Sequence, residues 1–536
     1  MVRRVIERWS RDQVLALAPD ASSQKAAAGV SSPAKWSSAG VAREALWGEC
    51  KGSGAKPYRA CVDLQEPAYR CSCPSRKFPC KHALGLLLLW SADGVPGAEE
   101  PADWVEEWLD QRRERAAKQT AKLAEKVAAI VAEEAAGGSD ASPGSGADDR
   151  RARQREERVD AGLADLERWL GDQIAHGIAN ARQSALADWD ELSKRLVDAQ
   201  APGVAGLMTG LSRVFRHEDW PARLLSEYAL AHLLAVAHRR SAELPRELRD
   251  TVRSRVGFTM PKENVLARPP VRDHWQVIGT RDEERDRLLS RRVWLHGRAT
   301  GRTALILSFA PLGQPLDSSL VLGTTVDADV CFYPGSAPLR ALVAARHSAA
   351  DPSPMPPRGV RAASVPRLIA DILTCDPWTD SWPVILSDVV LAKADTGWHL
   401  ADYAHGDSAG YDGAGRNGTG QAGRDHADLD HDRADHASPG HAGHDRDCAS
   451  PGHADRDRDH ADLSGHDRAG RDNADHERAG SGDEEGNALP ILPSVGDPWR
   501  LAAVSGGQPV TVAAEWTPDG LRLLSTWDEQ GQVVVL

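Results

Sequence analysis

The chain has 536 residues, 41% of them apolar and 5% aromatic, with 78 acidic against 65 basic side chains and a formal net charge of −13. That length allows about three domains. Its longest apolar runs, such as Ala83–Trp90, fall far short of the ~20 residues a membrane span needs, and the opening MVRRVIERWSRD interrupts its apolar letters with charges. Neither a membrane span nor a secretory leader is therefore expected, and a cytoplasmic location is.

The first 95 residues are dense in Trp, Cys, Gly and Pro. Within them Pro57–Leu64 and Ala68–Arg70 read as two short strands and Lys81–Trp90 as an apolar helix. Apolar letters at 104, 108, 123, 127, 130 and 131 predict a helix over 103–136, with Trp104 and Trp108 one turn apart and packing back on the N-terminal unit. The stretch GGSDASPGSGADD, 137–149, reads as a linker. A second long helical pattern runs through Val159, Leu163, Leu166, Leu170, Ile174 and Ile178, and continues through Leu186, Trp189, Leu192 and Leu196. A third, Ala222–Arg239, is apolar on most sides and is expected to be buried.

From about Trp275 the period changes to two. Val293–Arg298 and Thr303–Phe309 flank Ala299–Arg302 as a hairpin, Leu320–Val326 is a further strand candidate, and Pro366–Thr374 a short helix. Strand signals at Asp388–Ala394 and Gly397–Ala401 precede residues 404–487, a loose repeat of Asp, His, Arg, Ala and Gly. This segment holds 20 acidic residues, 9 Arg and 10 of the 19 His, so it carries −11 of the total charge and the rest of the chain is nearly neutral. With so few apolar residues it cannot offset its ordering entropy and reads as a disordered loop inserted in a β-rich domain. The G-x-G-x-x-G match at Gly413–Gly418 has no flanking strand or helix, and the Asn417-Gly418-Thr419 sequon matters only in a secreted protein. Weak metal binding by the insert's histidines is the alternative to a tolerated loop. After it, Trp499–Val504, Val510–Trp516, Leu521–Trp527 and Val533–Leu536 read as a four-strand meander.

The chemistry is concentrated in Cys71-Ser-Cys73-Pro-Ser-Arg-Lys-Phe-Pro-Cys80-Lys-His82. Three thiols and an imidazole within twelve residues match a closed tetrahedral zinc site, structural because a Cys3His set leaves no open coordination position. Cys80 and His82 open a helix, where free N–H groups favour a thiolate. Cys50 and Cys61 are read as buried thiols, and Cys331, Cys375 and Cys448 as isolated ones. Arg70, Arg76, Lys77 and Lys81 surround the ligands, where they either grip a partner's phosphates or neutralise the thiolates. The helix that follows is too apolar to read a DNA groove. His274 and His296, in strand patterns without partner spacing, are read as structural.

This pattern, C-x-C, a spacer and C-x-H, resembles the SWIM-type zinc finger at Cys71, Cys73, Cys80 and His82. The flanking Ala18-Pro19-Asp20, Trp36, Leu46-Trp47-Gly48-Glu49-Cys50, Gly52-Ser53-Gly54 and Lys56-Pro57-Tyr58 are similar to the bacterial branch of that family. The resemblance covers about residues 1–92 and implies one structural Zn2+ and contacts to protein or DNA. It also implies MoxR-type AAA ATPases and von Willebrand A proteins as partners.

The expected fold class is α+β. A ββα zinc-finger unit (1–95) is followed by a helix (96–136), a linker (137–149) and a helical region (150–260). A β-rich domain (261–403 and 488–536) then surrounds the disordered insert (404–487). The expected function is a zinc-binding interaction protein, a protein partner slightly ahead of DNA. No P-loop, G-x-S-x-G or H-E-x-x-H occurs, so an enzyme is not expected; the alternative is an enzyme site in the β-rich domain, targeted by the finger.

Overall fold

A computed structural model of the chain describes residues 8–135 (except 43, 53–55 and 76), 145–403 (except 179–180, 286–287, 313, 315, 349 and 354), 488–492 and 498–536. The chain divides into one large unit, Met1–Asp402 with Asp483–Leu536, and a second, Tyr403–Gly482. The expectation of disorder for 404–487 lies outside the described residues.

Two short helices, α1 (Arg11–Ala16) and α2 (Ala21–Ala28), precede an antiparallel sheet in the order β1 (Trp36–Ala42), β2 (Ala45–Cys50), β3 (Tyr58–Asp63), β4 (Ala68–Cys71). Helix α3 (Lys81–Ser91) follows. Alternation sends Leu46, Ala60 and Val62 to one sheet face, where they meet Leu84 and Leu86–Trp90 of α3 and Trp9, Val14 and Ala27. Ala45, Trp47 and Cys61 point the other way, against Val105 and Leu109 of α4 (Asp103–Ala135). Trp104 and Trp108 join that second layer, as their spacing predicts. The small sheet is thus covered on both faces, which explains why α3 is buried over Ala83–Trp90.

The middle region is α5 (Ser145–His176), α6 (Ala181–Asp198), α7 (Pro202–Gly210), α8 (Trp220–Arg239) and α9 (Arg246–Val256), around one core. Residues 145–149 of the expected linker belong to α5, the rest of it lying outside the described residues, and the second helical pattern is two helices broken at Gly177, which takes φ +85°. Helix α8 is not buried all round. Leu224, Tyr228, Ala231 and Leu234 face the core, while Leu225 and Leu233 are 48% and 44% exposed, because each helix of a bundle meets neighbours on one side only.

After the short α10 (Lys262–Leu266) come β5 (Val271–Arg285), β6 (Leu288–Gly297), β7 (Thr303–Pro311), β8 (Thr324–Phe332), β9 (Arg340–Arg346) and β10 (Asp351–Pro352). Strand β9 pairs in parallel with β7 and antiparallel with β8, so five of these strands close on themselves. Strands β6 and β7 form the expected hairpin. The strand expected over Leu320–Val326 begins only at Thr324. Val321 instead enters the core beside α3, and Gly323 turns the chain at φ +74°.

Helix α11 (Val365–Cys375) leads to β11 (Trp382–Ala394) and β12 (Gly397–Asp402); then follow β13 (Ala488–Pro490), α12 (Trp499–Ser505), β14 (Val510–Thr517), β15 (Gly520–Trp527) and β16 (Val533–Val535). Their sheet has the order β13-β12-β11-β14-β15-β16. Because β12 and β13 are hydrogen-bonded neighbours, 404–487 connects adjacent strands, as a loop insertion should. Trp499–Val504 is a helix, not the first strand of a meander: Leu501 is buried while Trp499 is 60% exposed, and Gly506, at φ +56°, ends it. Buried Glu515 joins the two β layers by accepting from Arg281, Arg292 and Arg522.

Candidate metal centre

The β3–β4 hairpin brings Cys71 to the end of β4, and Cys73 follows two residues on, in the turn. The spacer returns the chain to Cys80, the N-cap of α3, and His82 stands in that helix's first turn. The four ligand atoms lie within 4.8 Å of one another. Cys71 Sγ is 3.7 Å from His82 Nδ1. A zinc tetrahedron built with bonds of about 2.3 Å to sulfur and about 2.0 Å to nitrogen has edges of about 3.6–3.8 Å. The donor set and its spacing therefore fit one zinc ion, held by Cys71, Cys73, Cys80 and His82.

Cys80 and His82 are buried, and Cys71 and Cys73 half-buried. The His82 ring lies against Tyr58, centroids 4.8 Å apart, which fixes its plane. The Cys80 thiol is held down to about 4, chiefly because Cys71 donates to it, with His82 and the Ala83 N–H assisting against burial. Cys71 is pushed up by that same contact with Cys80 and by burial, and Cys73 chiefly by burial. Zinc, when bound, supplies the charge that lets all three sulfurs deprotonate.

Family comparison matches the SWIM zinc finger at residues 61–90 and the SWIM-associated four-helix bundle domain at residues 154–256. The chain carries a SWIM-type zinc finger. No curated protein and no solved structure matches the chain. The bundle match spans α6 to α9 and most of α5.

Around the SWIM finger the four predicted cations are placed unequally. Arg70 is exposed on β4 and Lys81 exposed at the start of α3. Lys77 is already committed: its Nζ lies 2.6 Å from Asp20 and 3.2 Å from the Ser22 hydroxyl. Arg76 lies outside the described residues. Cys50 and Cys61 are buried and outside the ligand cluster; burial pushes the Cys61 thiol up to about 12. Asp273 spends its oxygens on the backbone N–H groups of His274, Ala299 and Thr300 and on the Thr300 hydroxyl, so it braces the β6–β7 turn. Beside it His296 is half-buried, and this desolvation lowers its pKa.

Asp20 and Tyr58 stand in the quoted flanking motifs, but sequence does not show that one pins the spacer and the other the imidazole. Also invisible is a cleft of about 1080 Å³ in which Lys77, Phe78 and Pro79 of the spacer face α4 and the β6–β7 region. Among the described residues, no helix is long and apolar enough to cross a membrane.

Proposed function

We propose that this chain is a zinc-built docking protein whose SWIM finger holds a protein partner in the cytoplasm, where thiols stay reduced. The observation that carries the reading is the closed Cys3His cluster, whose spacer forms a wall of the large cleft. Zinc would hold that wall in place and take no part in chemistry. Among the described residues, the cleft is lined by five cationic and five acidic side chains. Such a balanced lining suits the mixed charges of a polypeptide better than a phosphate backbone. With Lys77 paired to Asp20 and α3 turned inward, the finger itself has little left for groove reading.

The MoxR-type AAA ATPases and von Willebrand A proteins that the family resemblance implies are the first partners to test. The proposal assigns the chain no catalytic reaction. Affinity capture with the intact protein, with and without nuclease, tests it. A partner that survives nuclease and is lost in Cys73→Ser is the expected result. Capture that disappears with nuclease treatment would make DNA the ligand and overturn the reading.

A further inference from the structure

A second cleft, of about 640 Å³, opens in the helical bundle between the first turns of α5 and the end of α9. Five arginines fall within nine residues here: Arg150, Arg151, Arg153, Arg155 and Arg158. Three of them, Arg151, Arg155 and Arg158, follow an i, i+4, i+7 pattern and line the cleft together with Arg253. Two guanidinium groups are fixed before any ligand arrives. Arg155 lies 4.6 Å and Arg253 4.1 Å from the centroid of the Phe258 ring. Arg155 also donates to the Gly257 carbonyl at 3.1 Å, and Arg253 to Glu156 at 2.7 Å. Planar forks held on an aromatic face lose little freedom on binding an oxyanion.

Among the described residues, the cleft's acids are Glu156, which pairs with Arg253, and Asp250, against four arginines. Gln154, Ser254, Thr259 and Asn264 add uncharged polar groups to the wall. The stripe from 151 to 158 covers about 10 Å of helix. One strand of a duplex advances about 3.4 Å along its axis per phosphate, so the stripe is long enough to reach more than one phosphate of a strand, and the cleft is of the size that takes a single small ligand.

We propose that this cleft binds the phosphate groups of a nucleotide, free or within a nucleic-acid strand. The inference is independent of the zinc finger, because the two sites share no residue.

The test is fluorescence anisotropy of a labelled twelve-nucleotide single strand and of labelled ATP, each titrated with the full-length protein at low and moderate salt. At least one probe binds, and its affinity falls steeply with salt. Arg158→Glu, an exposed position, weakens binding at least about tenfold; Arg155→Lys keeps the charge but loses the fixed fork and weakens it several-fold. Circular dichroism melts verify that both variants stay folded, and Arg367→Glu, at an exposed position on α11 that lines neither cleft, leaves binding unchanged. Binding of the strand alone identifies a nucleic acid, and equal competition by ATP identifies a free nucleotide. Failure of both probes to bind, unchanged affinity in Arg158→Glu, or displacement by polyglutamate as effective as by the unlabelled probe would overturn the proposal.

Discussion

Gln13 gives the most detailed prediction. Its side chain is 3% exposed and serves two partners. Its Oε1 accepts from the Ser10 backbone N–H at 2.7 Å, and its own backbone N–H donates to Ser10 Oγ at 3.2 Å, a reciprocal cap on α1. Its Nε2 donates to the Leu322 carbonyl at 2.9 Å, across 309 residues of sequence, beside Val321 in the finger's core. Gln13→Ala removes the side-chain half of the cap, worth about 0.5–2 kcal/mol, and leaves a buried carbonyl unmatched, at about 1–3 kcal/mol. The sum is about 1.5–5 kcal/mol. Because the chain has several cores, native-state hydrogen exchange is the suitable readout. Amides of α1 and of 320–324 should lose that much protection while α8 keeps its own. Gln13→Glu separates the two roles: it keeps the cap acceptor but sets a carboxylate against a carbonyl. It should therefore be worse than Ala at neutral pH, and recover as acid protonates the new side chain. A loss below about 0.5 kcal/mol in Gln13→Ala would refute this account of how the finger is tied to the β region, since it would fall short of even one lost buried hydrogen bond.

Three more outcomes are expected. Cys71→Ser and His82→Ala should each abolish stoichiometric zinc, measured by mass spectrometry under native conditions, whereas Cys61→Ser should retain the metal and lose about 1–2 kcal/mol of stability from burying a hydroxyl. Asp20, held below the usual carboxylate range chiefly by Lys77 and then by Ser22 and Ser23, caps α2 at Ser23. Its depressed pKa means that its contribution is complete above the unfolded value of about 3.9 and is lost as pH falls toward the folded one. Asp20→Ala should therefore cost about 1 kcal/mol at pH 7, with a gap to the parent protein in hydrogen exchange of α2 that stays level down to about pH 5 and narrows below about pH 4. Glu515→Ala leaves Arg281, Arg292 and Arg522 without their shared carboxylate and should destabilise the β layers by about 3–5 kcal/mol, read from urea unfolding.

The zinc ligands were legible because coordination chemistry demands particular atoms, and their spacing is short enough to read locally. Helix α3 was legible as an eight-residue apolar run after the last ligand pair. The misreadings arose where an apolar stretch served a partner far away in sequence. Leu320–Leu322 looks like a strand, yet Val321 fills the space beside α3. Trp499–Val504 has strand-like letters, but only a left-handed Gly506 reveals that the segment is a helix with a cap. The commitment of Lys77 to Asp20, 57 residues away, could not be read from the spacer, and it removed one of the cations first considered for a partner. The arginine run at 150–158 was not singled out in the sequence, because nothing local gives it a role; Phe258, about a hundred residues on, holds Arg155 and Arg253 in place.

The central claim is that one metal ion builds the finger. Hydrogen exchange of the intact protein before and after chelation, with zinc counted in the same samples, tests it most directly. A structural zinc is worth about 10–16 kcal/mol to a small unit. Chelation should therefore strip protection from β3, β4 and α3 while the bundle α5–α9 stays protected, and re-added zinc should restore it. Unchanged protection across 58–91 after complete removal of the metal would contradict the claim.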